Sequence, residues 1–181
     1  MPQWAIAVIV VLLVVAVAEA VWIFLQKRRS DHLRHRFGPE YTRAVEERGS
    51  RMRAESDLQQ RERRVEKLHI RPLPLRDQER FTEAWRKEQA RFVDDPKGAV
   101  TEADKLVTEV MKIQGYPVSD FEQRVADISV DHAQVVDNYR AANAIARRHE
   151  RGEATTEDLR KAMVYYRELF NDLLEMQEVR R

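Results

Sequence analysis

The chain has 181 residues, no cysteine and a net charge of +1 at neutral pH. Without cysteine it has no disulfide bonds, thiolate metal ligands or cysteine nucleophiles. The charge is unevenly distributed, because residues 27–71 hold 14 Lys or Arg against 8 Asp or Glu, whereas residues 72–181 hold 18 against 22. The basic stretch is expected to lie near anionic lipid headgroups, and the mildly acidic remainder makes nucleic acid a poor partner.

Residues 4–25 form an apolar run with one charged side chain, Glu19. As a helix this run measures about 33 Å, which matches the hydrocarbon core of a bilayer. The triplet from Ala18 to Ala20 resembles a signal-peptidase site. However, no basic residue precedes the run, and the run continues beyond Ala20, so the pattern favours a permanent transmembrane anchor over a cleaved export signal.

Five residues are predicted to lie at the two membrane interfaces: Trp4, Trp22, Lys27, Arg28 and Arg29. Indole rings favour the headgroup level, and basic residues flank the cytoplasmic end of a span. We therefore expect residues 1–29 to form a transmembrane anchor with a basic flank, in a single-pass protein of the cell membrane that has its N-terminus outside and its C-terminal domain in the cytoplasm.

Glu19 lies six residues, about 9 Å, inside the basic boundary of the predicted span. One interpretation is that its carboxyl stays protonated or tilts toward the interface. The other is a contact with a second helix, because Ala16 and Ala20 form a strip of small residues beside it. The second interpretation corresponds to a sensor that dimerises through its transmembrane helix.

Residues 30–71 are predicted to form a charged helical connector. The first helix is expected to continue past the membrane until Gly38 and Pro39 end it. Leu58, Val65 and Leu68 follow at seven-and-three spacing, but a coiled coil would need an apolar residue where Arg61 stands. The connector is therefore interpreted as a helical spacer packed loosely on the domain, with a homodimeric coiled coil as the alternative.

Residues 72–181 are predicted to form a soluble bundle of about five helices, which makes the chain all-α. The predicted helices cover roughly residues 76–93, 95–115, 119–128, 131–150 and 155–174. Their ends are indicated by Asp95 as an N-cap, by Gly115 as a stop, and by capping boxes starting at Ser119 and Thr155.

No catalytic, cofactor-binding or metal-binding residue is predicted, and no cofactor is expected. The residues that come nearest to a catalytic or metal site are Asp127, Asp131 and His132, because a histidine beside carboxylates can act as a base or a metal ligand. Asp131 is better explained as an N-cap or first-turn acid, with His132 solvated beside it. His32 and His35 could share a metal ion, but five neighbouring basic residues favour a surface that faces lipid headgroups.

Five segments carry a resemblance to a known family: RFGPEY (residues 36–41), RFVDDPKGAV (91–100), GYPVSDFEQR (115–124), SVDH (129–132) and ATTEDLRKAMVYYRELF (154–170). Together they resemble a family of uncharacterised bacterial single-pass membrane proteins with a C-terminal helical domain. The resemblance implies an anchor followed by basic residues. It implies no activity, ligand or catalytic residue.

The predicted function is a membrane-anchored interaction or scaffold protein, which holds a helical domain at the inner face of the membrane for a protein partner of unknown identity. One alternative is an enzyme or ligand-binding domain at the membrane surface, and another is the dimerising sensor. A concave pocket with converging polar groups would favour the enzyme.

Overall fold

The described part of the chain consists of eight helices and contains no strand. The structure is a computed structural model, which describes the backbone of residues 3–179 and the side chains of residues 12–175. The helices are α1 (Gln3–Phe37), α2 (Pro39–Arg48), α3 (Arg51–Val65), α4 (Leu75–Arg91), α5 (Pro96–Gln114), α6 (Phe121–Asp131), α7 (Val136–Glu150) and α8 (Thr156–Val179). The all-α prediction is confirmed.

Helix α1 continues without a break for 35 residues and ends at Phe37, where the sequence predicts its end. Gly38 follows with a φ of 45°, which a residue with a side chain rarely adopts, and Pro39 begins α2. The side chains of residues 12–29 are all exposed, whereas Ser30, Leu33 and Phe37 are buried. The final two turns of α1 therefore belong to the folded domain.

No helix in the described residues combines the length and the hydropathy that a membrane crossing needs. The predicted span of residues 4–25 lies partly outside the described side chains, which begin at residue 12. The side chain of Trp4 is among those outside the description.

Two hydrophobic clusters form the interior. The smaller cluster joins the end of α1 to α2, α3 and one residue of α6; its buried members are Leu33, Phe37, Tyr41, Ala44, Ala54, Leu58, Val65 and Val130. Leu58 and Val65, which define the seven-residue spacing, are thus buried inside the chain. Because α6 contributes to this cluster, α1 to α3 pack directly against the bundle.

The larger cluster lies among the five helices α4 to α8 and includes an aromatic stack of Trp85 on Phe170, with ring centroids 4.7 Å apart. Tyr139 and Tyr166 are fully buried within it, edge to face. Stacked and edge-on aromatic pairs stabilise a core beyond the area they bury. All four aromatic residues therefore belong to the core.

Several predicted helix ends are confirmed. The Asp95 carboxylate accepts a hydrogen bond from the Gly98 amide at 2.9 Å, and Gly115 ends α5 with a φ of 103°. Thr155 and Asp158 cap α8 reciprocally, since each side chain accepts from the other residue's backbone amide. The N-cap predicted at Ser119 is wrong by one residue.

The N-cap of α6 is Asp120, whose carboxylate accepts from the Gln123 amide at 2.8 Å. The predicted helix over residues 131–150 is also corrected. Asp131 is the last residue of α6, and α7 begins five residues later at Val136. The reason is that α6 remains helical long enough to bury Ile128 and Val130, and the chain turns only at the buried His132.

Candidate functional site: the junction of the first helix with the bundle

The segment of α1 ahead of the domain exposes apolar side chains on every side. Ten large hydrophobic residues in it are between 48% and 66% exposed: Leu12, Leu13, Val14, Val15, Val17, Val21, Trp22, Ile23, Phe24 and Leu25. Lys27, Arg28 and Arg29 follow and are exposed as well, with the Arg28 guanidinium 4.7 Å from the centre of the Phe24 ring. Four of the predicted interface residues, Trp22, Lys27, Arg28 and Arg29, therefore lie exposed at the C-terminal end of the apolar segment.

A buried polar cluster lies where α1 enters the domain. The Glu55 carboxylate accepts hydrogen bonds from the Tyr41 hydroxyl and from Arg51 Nε, both at 2.8 Å, and also from the Ser30 hydroxyl. Arg51 donates in turn to Ser30. These contacts join α1, α2 and α3 through side chains that are mostly buried, so the direction in which α1 leaves the domain is fixed by specific hydrogen bonds.

The same cluster changes the acidity of Glu55. Burial by itself raises the pKa of a carboxyl, because the charged form loses its hydration. Hydrogen bonds from Ser30, Arg51 and Tyr41 outweigh that effect, and the pKa of Glu55 is lowered below its ordinary value of 4.5. Glu55 is therefore ionised at neutral pH and holds the junction together in that form.

A second buried carboxylate, Glu40, connects α2 to the bundle. Its side chain is bound at 2.7 Å by both terminal nitrogens of Arg140 from α7 and at 2.8 Å by Arg61 from α3. Glu40 is 1% exposed. A buried carboxylate without such partners would be strongly unfavourable, so the three side chains form one unit. Arg61, which interrupts the coiled-coil spacing, has its partner within the chain.

The three candidates for chemistry point to different partners. Asp127 is fully buried and accepts from Arg64 Nε at 2.6 Å and from the side-chain Nε2 of Gln123 at 3.0 Å. Asp131 accepts from the Tyr116 hydroxyl at 3.1 Å and lies 3.4 Å from a nitrogen of Arg36. Both carboxylates thus connect α6 to the helices that precede the bundle. Because they bind different arginines, they do not form a shared catalytic or metal site.

His132 is corrected from a solvated residue to a buried one. It is 2% exposed, and its Nδ1 is hydrogen bonded to the carboxylate of Asp172 in α8. Asp131 is likewise not an N-cap, since α6 ends there. Both errors have one cause, which is that α6 continues through Asp131 and the turn that follows it places His132 against α8.

The described side chains contain no group of three His, Cys, Asp or Glu suited to hold a metal ion. His32 Nε2 lies 3.0 Å from the Glu62 carboxylate, which also lies 3.2 Å from Arg36. His32 is therefore part of the polar contact between α1 and α3.

A polar cluster that the sequence did not indicate lies inside the bundle. It consists of Asp104, Arg124, Tyr139 and Tyr166, and in each of them one buried polar atom has no hydrogen-bond partner. Asp104 and Arg124 also line a groove of about 480 Å³ on the outside of α5. Burial raises the pKa of the Asp104 carboxyl, and the nearby Tyr166 and Arg124 only partly offset this.

Sequence reasoning missed Glu40 and Asp104 because both stand in ordinary amphipathic helix patterns. One signal for Glu40 was available: it follows Gly38 and Pro39, so it falls in the first turn of a helix that begins against the domain. A position in the first turn favours an acidic residue but does not say whether it is buried.

No protein-family model, no curated protein and no solved structure matches the chain. The assignment of a function therefore depends on the geometry described above.

Proposed function

We propose that the protein is a single-pass membrane scaffold, in which α1 anchors the chain and a rigid junction holds the bundle at the cytoplasmic face for a protein partner. The observation that carries this proposal is the apolar surface of α1 between residues 12 and 25, exposed on every side. Four consecutive exposed residues, 12 to 15, are separated by about 100° each and so cover the whole circumference of the helix.

An apolar surface of this shape favours lipid over a protein groove. A helix that packs into a groove needs an apolar stripe on one side and polar residues on the other. A helix that is apolar all round is suited to a lipid environment or to the centre of a large core. The basic residues Lys27, Arg28 and Arg29 at its end are typical of the cytoplasmic side of a membrane span.

Magnitudes support the same choice. Complete burial of a large apolar side chain contributes about 1.5–3 kcal/mol. Ten such side chains at roughly half exposure represent on the order of 10 kcal/mol of unrealised transfer free energy. Glu19, the one charge in the segment, costs about 2.5–3.5 kcal/mol even at the bilayer centre on insertion scales. Transfer of the segment to lipid is therefore favourable overall.

The scaffold part of the proposal rests on the junction. The clusters around Glu55 and Glu40 fix α1 to α2, α3 and α7 by hydrogen bonds between buried groups, so the bundle cannot swing freely on a flexible linker. Confinement at the membrane raises the effective concentration of the bundle for a partner that is also there.

Membrane attachment and topology can be tested together in bacterial cells. We expect the full chain to stay in the membrane fraction after an alkaline carbonate wash, and a version lacking residues 1–29 to be released. Because the chain has no cysteine, a Val93→Cys variant offers one thiol, at a position that is 82% exposed. A membrane-impermeant maleimide should label it only after the cells are lysed. Labelling in intact cells would show that the orientation is opposite to the one proposed. Release of the full chain by carbonate would contradict the proposed membrane anchor.

The partner is best sought by proximity labelling of the full chain and of the version lacking residues 1–29. We expect a distinct set of membrane-associated neighbours for the full chain. Identical sets would argue against tethering as the function.

The basic side chains of the groove on α5 support a second candidate, a binding domain for a small acidic molecule. Arg124, Lys105 and Lys112 supply three positive charges to the groove, against the two carboxylates of Asp104 and Glu109. Thermal denaturation in the presence of a panel of small carboxylates and phosphates tests this candidate. A compound that binds in the groove should raise the melting temperature of the natural chain but not that of an Arg124→Gln variant. If no compound of the panel raises the melting temperature, this candidate function is contradicted.

A further inference from the structure

A groove lies between the emerging part of α1 and the first turn of α3. Its volume is about 580 Å³. The residues that line it are Ile23, Gln26, Lys27, Asp31, Arg34, Arg51, Met52 and Glu55. These positions are distant in sequence and are brought together by the buried cluster at Ser30. The groove is therefore a product of the fold, and a basic stretch in the sequence does not by itself predict it.

The charged side chains of the groove favour an anion. Lys27 and Arg34 supply two positive charges against the carboxylate of Asp31, because Arg51 and Glu55, which also line the groove, form an ion pair with each other. The Glu55 charge is already bound by three donors inside the junction. Arg34 holds its guanidinium 5.4 Å from the Tyr41 ring, which positions it without binding its charge to a carboxylate.

The backbone adds to this preference. Helix α3 begins at the groove, and the side chain of its N-cap residue, Ser50, accepts no hydrogen bond from the first turn. The amide groups at a helix start carry partial positive charge and bind phosphate groups well. Here they lie beside Arg51, the first residue of α3.

Apolar side chains at the same groove distinguish a lipid from a free anion. Ile23 is 60% exposed, and Met52 at the start of α3 is 75% exposed. Ile23 belongs to the apolar segment of α1, and Lys27 and Arg34 lie about 6 Å and 17 Å farther along the helix. An anionic phospholipid has the matching order, with acyl chains at one end and a phosphate at the other.

We propose that this groove binds the headgroup phosphate of an anionic phospholipid, with Lys27 and Arg34 contacting the phosphate while Ile23 and Met52 contact the acyl chains. The proposal rests on the membrane anchoring proposed above and adds an orientation to it. The first turn of α3 lies against the membrane surface, so the bundle is tilted to one defined side of α1.

A single fluorescent label can test this orientation. The full chain carrying Met52→Cys is labelled with an environment-sensitive dye and reconstituted into phosphatidylcholine vesicles with or without one third phosphatidylglycerol. We expect the emission to shift to shorter wavelength and iodide quenching to fall only with phosphatidylglycerol. The same label at Val93→Cys, on the exposed turn after α4, should report water in both vesicles.

Charge variants test whether the groove causes the burial of the Met52 label in anionic vesicles. Each basic residue near an anionic surface contributes a factor of about five to binding, so Lys27→Gln with Arg34→Gln should reduce the ratio of buried to exposed label about 30-fold. Arg53→Gln with Arg63→Gln removes the same charge from exposed positions of α3 outside the groove and should change the fraction little. Equal effects of the two pairs would overturn the proposal in favour of general surface attraction.

Two further results separate the proposals. Flotation of the vesicles on a density gradient shows whether the protein is bound to them. If the protein floats with both kinds of vesicle while the Met52 label stays in water, the proposed lipid site in the groove is disproved and the proposed anchor is not. Protein that floats with neither vesicle disproves the anchor. Addition of inorganic phosphate to phosphatidylcholine vesicles should not shift the emission, and a full shift there would mean that the groove binds a free anion instead of a lipid.

Discussion

Neutralising the buried carboxylate of Glu40 should destabilise the protein strongly. In a Glu40→Gln variant, the guanidinium groups of Arg61 and Arg140 lose the negative charge that they share. Their side chains are only 12% and 17% exposed, so water can replace the lost partner only in part. Removal of one partner from a buried ion pair costs about 3–5 kcal/mol.

The lower end of that range applies here. Arg61 also contacts Asp57 at 3.2 Å, and Arg140 contacts Asp137 at 2.9 Å, so neither arginine is left without a carboxylate. We therefore expect a loss of about 3 kcal/mol in the free energy of unfolding.

Urea unfolding of the full chain in detergent micelles, followed by circular dichroism, measures this loss. With a slope of about 2 kcal/mol per molar urea, the midpoint should fall by about 1.5 M. Glu46→Gln is the matched control, because Glu46 is exposed on the same helix, and it should stay within about 0.5 kcal/mol of the natural chain. A Glu40→Gln variant as stable as this control would refute the argument that the ion pairs hold α2 to the bundle.

Three other predictions follow from the fold. Phe37→Ala should cost about 3–5 kcal/mol of unfolding free energy because Phe37 is fully buried, whereas Phe24→Ala on the exposed part of α1 should leave urea unfolding unchanged; equal losses would contradict the division of α1. Because folding lowers the pKa of Glu55, its ionised form contributes stability that is present above pH 4.5 and is lost as the pH falls through the lower folded pKa. Glu55→Gln should therefore be less stable than the natural chain at pH 7, and the difference should shrink toward pH 3 in parallel urea titrations; a constant difference would argue against the lowered pKa. Thr155→Ala should cost about 1 kcal/mol by removing the cap of α8, while Thr156→Ala should cost much less, as thermal melts of the two variants can show.

The sequence predicted the helices and most of their ends because those depend on local chemistry. Asp95, Gly115 and Thr155 act within a few residues of their own position, by bonding backbone groups or by adopting a backbone conformation suited to glycine. Such effects can be recognised without knowing what the helix packs against. The end of α1 at Gly38 is a further case.

The environment of charged residues could not be predicted in the same way. Glu40 and His132 are buried because of partners about 100 and 40 residues away, Arg140 and Asp172. A sequence pattern of acidic and basic residues looks the same whether the charges are solvated or paired inside the protein. The groove beside Met52 was missed for the same reason, since it forms only when α3 folds back on α1.

The unbroken path of α1 from its exposed apolar part into the folded core has a geometric consequence. Residues 12–25 and the buried residues Ser30, Leu33 and Phe37 share one helix axis, so their relative azimuth is set by the number of residues between them. Inserting a single alanine after Gln26 would turn the two parts by about 100° relative to each other, whereas seven alanines would restore the original azimuth to within about 20°. The spacing between residues 26 and 30 therefore determines which side of the bundle a neighbour of α1 meets.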